Sequence, residues 1–102
     1  MTAVKKVFLA LAIITSITSC SEYNKVVKGD DYGKKFETAN SLFDKGQYLR
    51  SITLYEQIYQ RMPKTGEGEL AYFRIGKAYY EEEDYYMAGY YMGAFTQRFP
   101  FS

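Results

Sequence analysis

The sequence predicts an all-α chain, a helical solenoid of two antiparallel helix pairs, and three observations carry that expectation. Residue character repeats at an offset of 37 positions through the second two thirds of the chain. Apolar side chains recur inside each repeat at i, i+3, i+4 and i+7, the spacing of one helical face. Pro63 and Pro100 then close both repeats at the same phase, where a helix must stop. A period of about 20 to 50 residues with this grammar marks helical hairpins stacked on one another.

The chain has 102 residues, room for one small domain. Its start reads as a processing signal over residues 1–19. Lys5 and Lys6 supply a positive region, Val7 to Ile14 an uninterrupted apolar run, and Thr15 to Ser19 a stretch of small residues before Cys20. The apolar run is far shorter than the roughly 20 residues of a membrane span. Ile17, Thr18, Ser19 and the chain's single cysteine, Cys20, resemble the bacterial lipoprotein signal. That resemblance implies cleavage before Cys20, diacylation of its sulfur and acylation of its amine. Two or more acyl chains, at about 0.8 kcal/mol per buried methylene, hold a protein durably to a bilayer. Ser21 in place of Asp, and Glu22 without an acidic run, point by the same resemblance to the periplasmic face of an outer membrane. Residues 20–31, polar and ending in Gly29, Asp30 and Asp31, read as a tether, roughly 35 Å long if fully extended.

The repeats follow. Ala39 pairs with Gly76, Leu42 with Tyr79, Tyr48 with Tyr85, Ser51 with Ala88, Tyr55 with Met92, Ile58 with Phe95 and Pro63 with Pro100. Small residues recur where helices approach closely and large apolar ones where a core is filled. In the first repeat (32–63), Phe36, Ala39, Leu42 and Phe43 form one stripe and Tyr48, Ile52, Tyr55, Ile58 and Tyr59 the next. In the second (69–100), Tyr72, Ile75, Gly76 and Tyr79 are followed by Tyr85, Ala88, Met92 and Phe95. Helices are expected near 33–45, 48–61, 67–82 and 85–98, with Gly46 as the positive-φ residue after the first. Gly76, Gly89 and Gly93 each cost about 1 kcal/mol within a helix, and close helix contact is the expected compensation. Glu81 to Asp84 reads as a solvated corner; consecutive carboxylates lack the alternating spacing of a calcium loop.

Composition narrows the function. The whole chain has 13 basic and 12 acidic side chains. Loss of Lys5 and Lys6 with the leader leaves 11 basic against 12 acidic, which gives no electrostatic reason to expect nucleic acid. There is no histidine, and a lipidated Cys20 leaves no thiol, so the usual zinc sets and Cys or His catalysis are excluded. The carboxylates at 81–84 have no apolar surround to tune a catalytic pKa. No enzyme and no cofactor are expected.

Ala39, Leu42, Gly46, Tyr48, Tyr55 and Pro63, then Gly76, Tyr79, Tyr85, Ala88, Phe95 and Pro100, resemble the tetratricopeptide signature, whose usual period is about 34 residues. Ser51 departs from it where alanine is usual, and Lys35 stands where a bulky apolar residue is usual, so that by the latter the first helix is expected to pack less tightly. Residues 59–66, 71–80, 84–89 and 99–102 further resemble the outer-membrane assembly lipoproteins, the D component of the β-barrel assembly machinery (BamD/YfiO-like). Members carry more than two repeats, and Phe101 and Ser102 look like the opening of a third, so an N-terminal piece is expected, with a shortened relative as the alternative. The resemblance implies a non-enzymatic, lipid-anchored scaffold for β-barrel insertion that binds the barrel component or unfolded barrel substrates, with no small-molecule substrate. A general adaptor in another cell-envelope complex is the alternative.

In tetratricopeptide repeats the first helix of each pair lines the concave face. Carried over by position, that face holds Phe36, Asn40, Phe43 and Asp44, then Leu70, Phe73, Arg74, Lys77, Tyr80 and Glu81. Aromatic anchors with a few charges suit an extended peptide. Some relatives clamp a C-terminal carboxylate there. Asn40, Arg74 and Lys77 match that clamp, whereas Phe36 and Leu70 stand where it has lysines. Tyr86, Tyr90 and Tyr91 fall partly off the buried stripe and suit an interface with a wet edge.

Overall fold

The computed structural model describes residues 20–102, so the expected leader at 1–19 lies outside the described residues. The chain divides into two units, the second running from Asp31 to Ser102. In the first unit, residues 20–28 are helical (α1), with the Gly29 N–H bonded to the Lys25 carbonyl at 3.0 Å. This corrects the extended tether: a helical rise of about 1.5 Å per residue gives these residues less than half the reach assumed for them. No described helix is long and apolar enough to cross a membrane.

The second unit consists of α2 (Tyr32–Asp44), α3 (Tyr48–Arg61), α4 (Gly66–Glu81) and α5 (Tyr85–Arg98). Every boundary lies within one residue of its expected place, and the described chain is all-α. Side-chain oxygens satisfy first-turn N–H groups at three of the four starts. Asp31 accepts from Lys34, Thr65 from Gly68 and Asp84 from Met87, each cap being worth about 1 kcal/mol. Glu67 and Glu69 add negative charge where the α4 dipole is positive.

The two hairpins reverse through the same turn. The Gly46 N–H bonds to the Phe43 carbonyl and the Gln47 N–H to that of Leu42. The same pattern returns 37 residues later, Glu83 to Tyr80 and Asp84 to Tyr79, with distances of 2.9–3.0 Å in all four bonds. The pairing closes the helix carbonyls and requires a left-handed residue at its centre. Gly46 supplies it at φ +78°, as expected; its counterpart Glu83 adopts φ +62° with a side chain attached.

Cross-contacts run in reverse order along neighbouring helices. Tyr48 meets Phe43 near the first turn, while Gln57 at the far end of α3 meets Lys35 near the start of α2. Likewise Tyr85 meets Tyr80 and Phe95 meets Phe73. Both pairs are therefore antiparallel. Ala39, Leu54, Tyr55, Ile58, Ala71, Ile75 and Ala78 form the fully buried centre. Its densest part lies on α3 and α4, which have helices on both sides. At about 25 cal/mol per Å² of apolar area, these side chains and the rings around them dominate the stability of so small a unit.

Four expectations need correction. Lys35 does not loosen α2: it is 2% exposed, its stem fills the apolar place, and its ammonium donates to Gln57 Oε1 at 2.6 Å and lies 5.5 Å from the Tyr32 ring. Leu54, outside the expected stripe, is fully buried because α4 covers the second flank of α3. Tyr85 is not core; at 60% exposure it packs only edge-on against Tyr80. Of the three helix glycines, only Gly76 sits in close contact, where an added Cβ would lie 3.2 Å from Tyr91 Cβ and 3.3 Å from Met92 Cε. Gly89 and Gly93 are exposed, with nothing within 4 Å of such an atom.

Two substitutions test this architecture by chemical denaturation. Glu83→Gly removes the strain of a left-handed side-chain-bearing residue and is expected to stabilise by about 0.5–1 kcal/mol, less the entropy glycine adds to the unfolded chain. Gly68→Ala places a Cβ on the Met62 carbonyl and 3.2 Å from Pro63 Cα, both backbone. It is expected to destabilise by about 2–3 kcal/mol despite alanine's better helix propensity.

Candidate functional site

The first helices of the two pairs, α2 and α4, meet through one polar cluster. Asn40 lies on the third turn of α2, beside the buried Ala39, and Arg74 on the face of α4 adjoining the buried Ile75. The Tyr55 hydroxyl, reaching from α3, donates to Asn40 Oδ1 at 2.6 Å. Arg74 Nη1 lies 2.7 Å from the same Oδ1 and 3.1 Å from the Tyr55 oxygen, donating to both. The guanidinium also lies 5.1 Å from the Phe43 ring, which is itself edge-on to Tyr55 at 6.3 Å. Burial raises the pKa of the Tyr55 phenol; the hydrogen bond and charge of Arg74 oppose this, and Asp44 adds to it.

Of the residues expected to form a groove, the structure thus brings Asn40, Phe43 and Arg74 together, with Asp44 close enough to act on Tyr55. This changes the role of two of them. Asn40 Oδ1 is occupied by internal donors, and Arg74 spends its contacts on holding α2, α3 and α4. The pair works as a latch between the two hairpins, which counts against the carboxylate clamp. Tyr55 was expected only as core, and its hydroxyl completes the latch. A tyrosine at a core position 15 residues after an asparagine gives no sign of that from sequence.

Apart from Phe36 on α2, the remaining predicted residues lie on α4. Phe73 packs edge-on to Phe95 at 5.5 Å and Tyr80 to Tyr85 at 5.5 Å, yet both keep exposed surface; Lys77 and Glu81 are exposed on the same helix. Phe36 and Leu70 are half-buried. The tyrosines of α5 divide. Tyr86 and Tyr90 stay largely exposed, whereas Tyr91 packs inward against Tyr72 at 5.1 Å and stacks on Tyr79 at 5.7 Å. Cys20, expected to carry lipid, is exposed.

Among the described residues, no group of three or more His, Cys, Asp or Glu side chains is placed to hold a metal ion. What the arrangement offers is a surface: exposed ring edges and flanking charges on a rigid helix. Compared with protein-family models, with curated proteins and with solved structures, the chain finds no match.

The ring packing has a measurable consequence. Burial, aided by the nearby Glu56 charge, pushes the Tyr91 phenol from 10.0 up to about 12, and burial also raises Tyr55, Tyr72 and Tyr79. Below pH 10 these phenols are neutral in both folded and unfolded chains. Between about pH 10 and 12 the unfolded chain loses protons that the folded one retains, so stability falls as pH rises through that window. Tyrosinate absorbance is expected to show a late-titrating class in the folded chain, and Tyr91→Phe to reduce both that class and the alkaline loss of stability.

Proposed function

We propose that this chain is a non-enzymatic, lipid-anchored repeat scaffold of the tetratricopeptide type that serves outer-membrane β-barrel assembly. The observation that carries the repeat reading is the helix-ending turn that recurs, bond for bond, 37 residues along the chain. The burial of both Ala39 on α2 and Gly76 on α4 supports the same reading. Successive hairpins of this kind stack into solenoids whose first helices offer a continuous binding face.

Support for protein binding comes from α4. Phe73 and Tyr80 keep exposed aromatic surface on a helix immobilised by the core, one turn on either side of Lys77. Rigid aromatic anchors lose little conformational entropy on binding, and the charges beside them orient the ligand. The particular partner, a barrel component or its unfolded substrate, rests on the resemblance to outer-membrane assembly lipoproteins. The anchor rests on the sequence before Cys20.

The test is to express the full chain in a two-membrane bacterium and extract it with mild detergent. Co-isolation of a large β-barrel protein is expected. Phe73→Ala with Tyr80→Ala should weaken that capture by about tenfold or more, as loss of hot-spot rings does, and Cys20→Ala should release the chain from the membrane. Lipidated protein recovered with a different envelope complex would favour the general adaptor. Capture unchanged by the double substitution would remove α4 from the interface.

A further inference from the structure

One flank of α5 has no neighbour among the described residues. Tyr86, Gly89, Tyr90, Gly93, Thr96 and Gln97 recur at steps of three and four, so they share one side of the helix, and all six are exposed. Tyr86 is 84% exposed and Tyr90 59%. Those rings, four residues apart, form a ridge. Gly89 and Gly93, also four apart, form the recess beside it, with nothing within 4 Å of where either Cβ would stand. The ridge is firm: Tyr90 packs edge-on to Tyr91 at 5.4 Å, and Tyr91 is itself stacked on Tyr79.

The corresponding flank of α3 shows what such a place receives. At 37 residues before Gly89, Gly93 and Thr96 stand Ile52, Glu56 and Tyr59. Ile52 is buried, the other two are half-buried, and Tyr59 packs on Tyr72 at 4.7 Å. There α4 lies against the flank. On α5 the same three positions are open. Glycine weakens an exposed helix, and no close contact within the described residues offsets Gly89 or Gly93. Contact from outside the chain is the remaining compensation.

We propose that this flank pairs with the same flank of a second copy of the chain, the two α5 helices running antiparallel about a two-fold axis. Shape is the first reason. Ridge and recess sit side by side on one surface, so a two-fold rotation seats the tyrosines of each copy beside the glycines of the other. Charge is the second. No residue from Tyr85 to Gln97 is charged, so a copy brings no charge to be buried, whereas a partner with charged side chains would lose their hydration without return. Asp84 and Arg98 stand at the two ends of the helix, each seven residues from the midpoint of Gly89 and Gly93. Antiparallel pairing about that midpoint brings the acidic end of one helix level with the basic end of the other and opposes the helix dipoles; parallel pairing sets like ends together. At about 200 Å² per ring, Tyr86 and Tyr90 bring roughly 300 Å² per copy and about 600 Å² to the pair, under the ~1,200 Å² of stable interfaces. The dimer is therefore weak and exchanges with monomer. None of these residues lies on α4, so this pairing and the binding at Phe73 and Tyr80 stand or fall separately.

The full chain is followed by sedimentation equilibrium in density-matched detergent from about 10 μM to about 1 mM, the span that so small an interface calls for. Its protein mass is expected to rise from one copy to two. Gly89→Leu with Gly93→Leu fills the recess at positions open to solvent. That variant should stay at one copy throughout while its unfolding temperature rises, since leucine is the better helix former. Direction is read from disulfides in a Cys20→Ser background. Chains carrying Gly89→Cys, mixed with chains carrying Gly93→Cys, should form the mixed disulfide in preference to either like pair, because only that pair lies level across an antiparallel contact. The proposal is overturned if the mass stays at one copy over the whole range, if the double leucine variant associates as wild type does, or if the like disulfides form as readily as the mixed one. A one-copy chain in which a micelle-borne spin label broadens the amide signals of Gly89 and Gly93 would also overturn it, with lipid as the occupant instead.

Discussion

Chain reversal within three residues is the constraint on which the unit depends. Each hairpin turn pairs two N–H groups with carbonyls of the preceding helix, and that pairing exists only if the central residue takes a left-handed conformation. With the turn set, the next helix can run only antiparallel and at a defined phase. Tyr48 then falls against Phe43, and Tyr85 against Tyr80. The second hairpin achieves this with Glu83, a residue that resists the conformation, which shows that packing of α4 and α5 overrides local preference there.

Between those turns the helices are held by rings and small residues in alternation. Ala39, Ser51, Ala71, Gly76, Ala78 and Ala88 are buried, and Gly76 leaves room for the close approach of Tyr91. Ser51 satisfies its hydroxyl on the Tyr48 carbonyl of its own helix, so a polar group is buried without an orphaned donor. A chain of ring contacts from Tyr59 through Tyr72 to Tyr91 and Tyr79 ties α3, α4 and α5 together. Burial raises the phenol pKa values of Tyr72, Tyr79 and Tyr91.

Helix limits and the Gly46 turn were legible because each depends on interactions within a few residues. Apolar spacing reports one buried face, and proline reports where a helix ends. Leu54 was missed because α3 is covered on two flanks, and a single stripe cannot announce the second. Gly89 and Gly93 misled because a glycine reads the same whether a neighbour crosses it or solvent does. Residues 20–28 read as a tether from their polarity, yet their backbone is helical, a state that polar side chains also permit.

The site divides along the same line. Sequence alone determined which residues occupy α2 and α4, and so put Asn40 and Phe43 on the one and Arg74, Phe73 and Tyr80 on the other, because helix limits are local. Only the tertiary structure decided that Asn40 and Arg74 bond to each other and to Tyr55, that Lys35 finds Gln57, and that Arg98 reaches Tyr59. Each of those contacts joins residues 15 to 39 positions apart. Their partners are selected by how helices cross in space, which no spacing along the chain encodes.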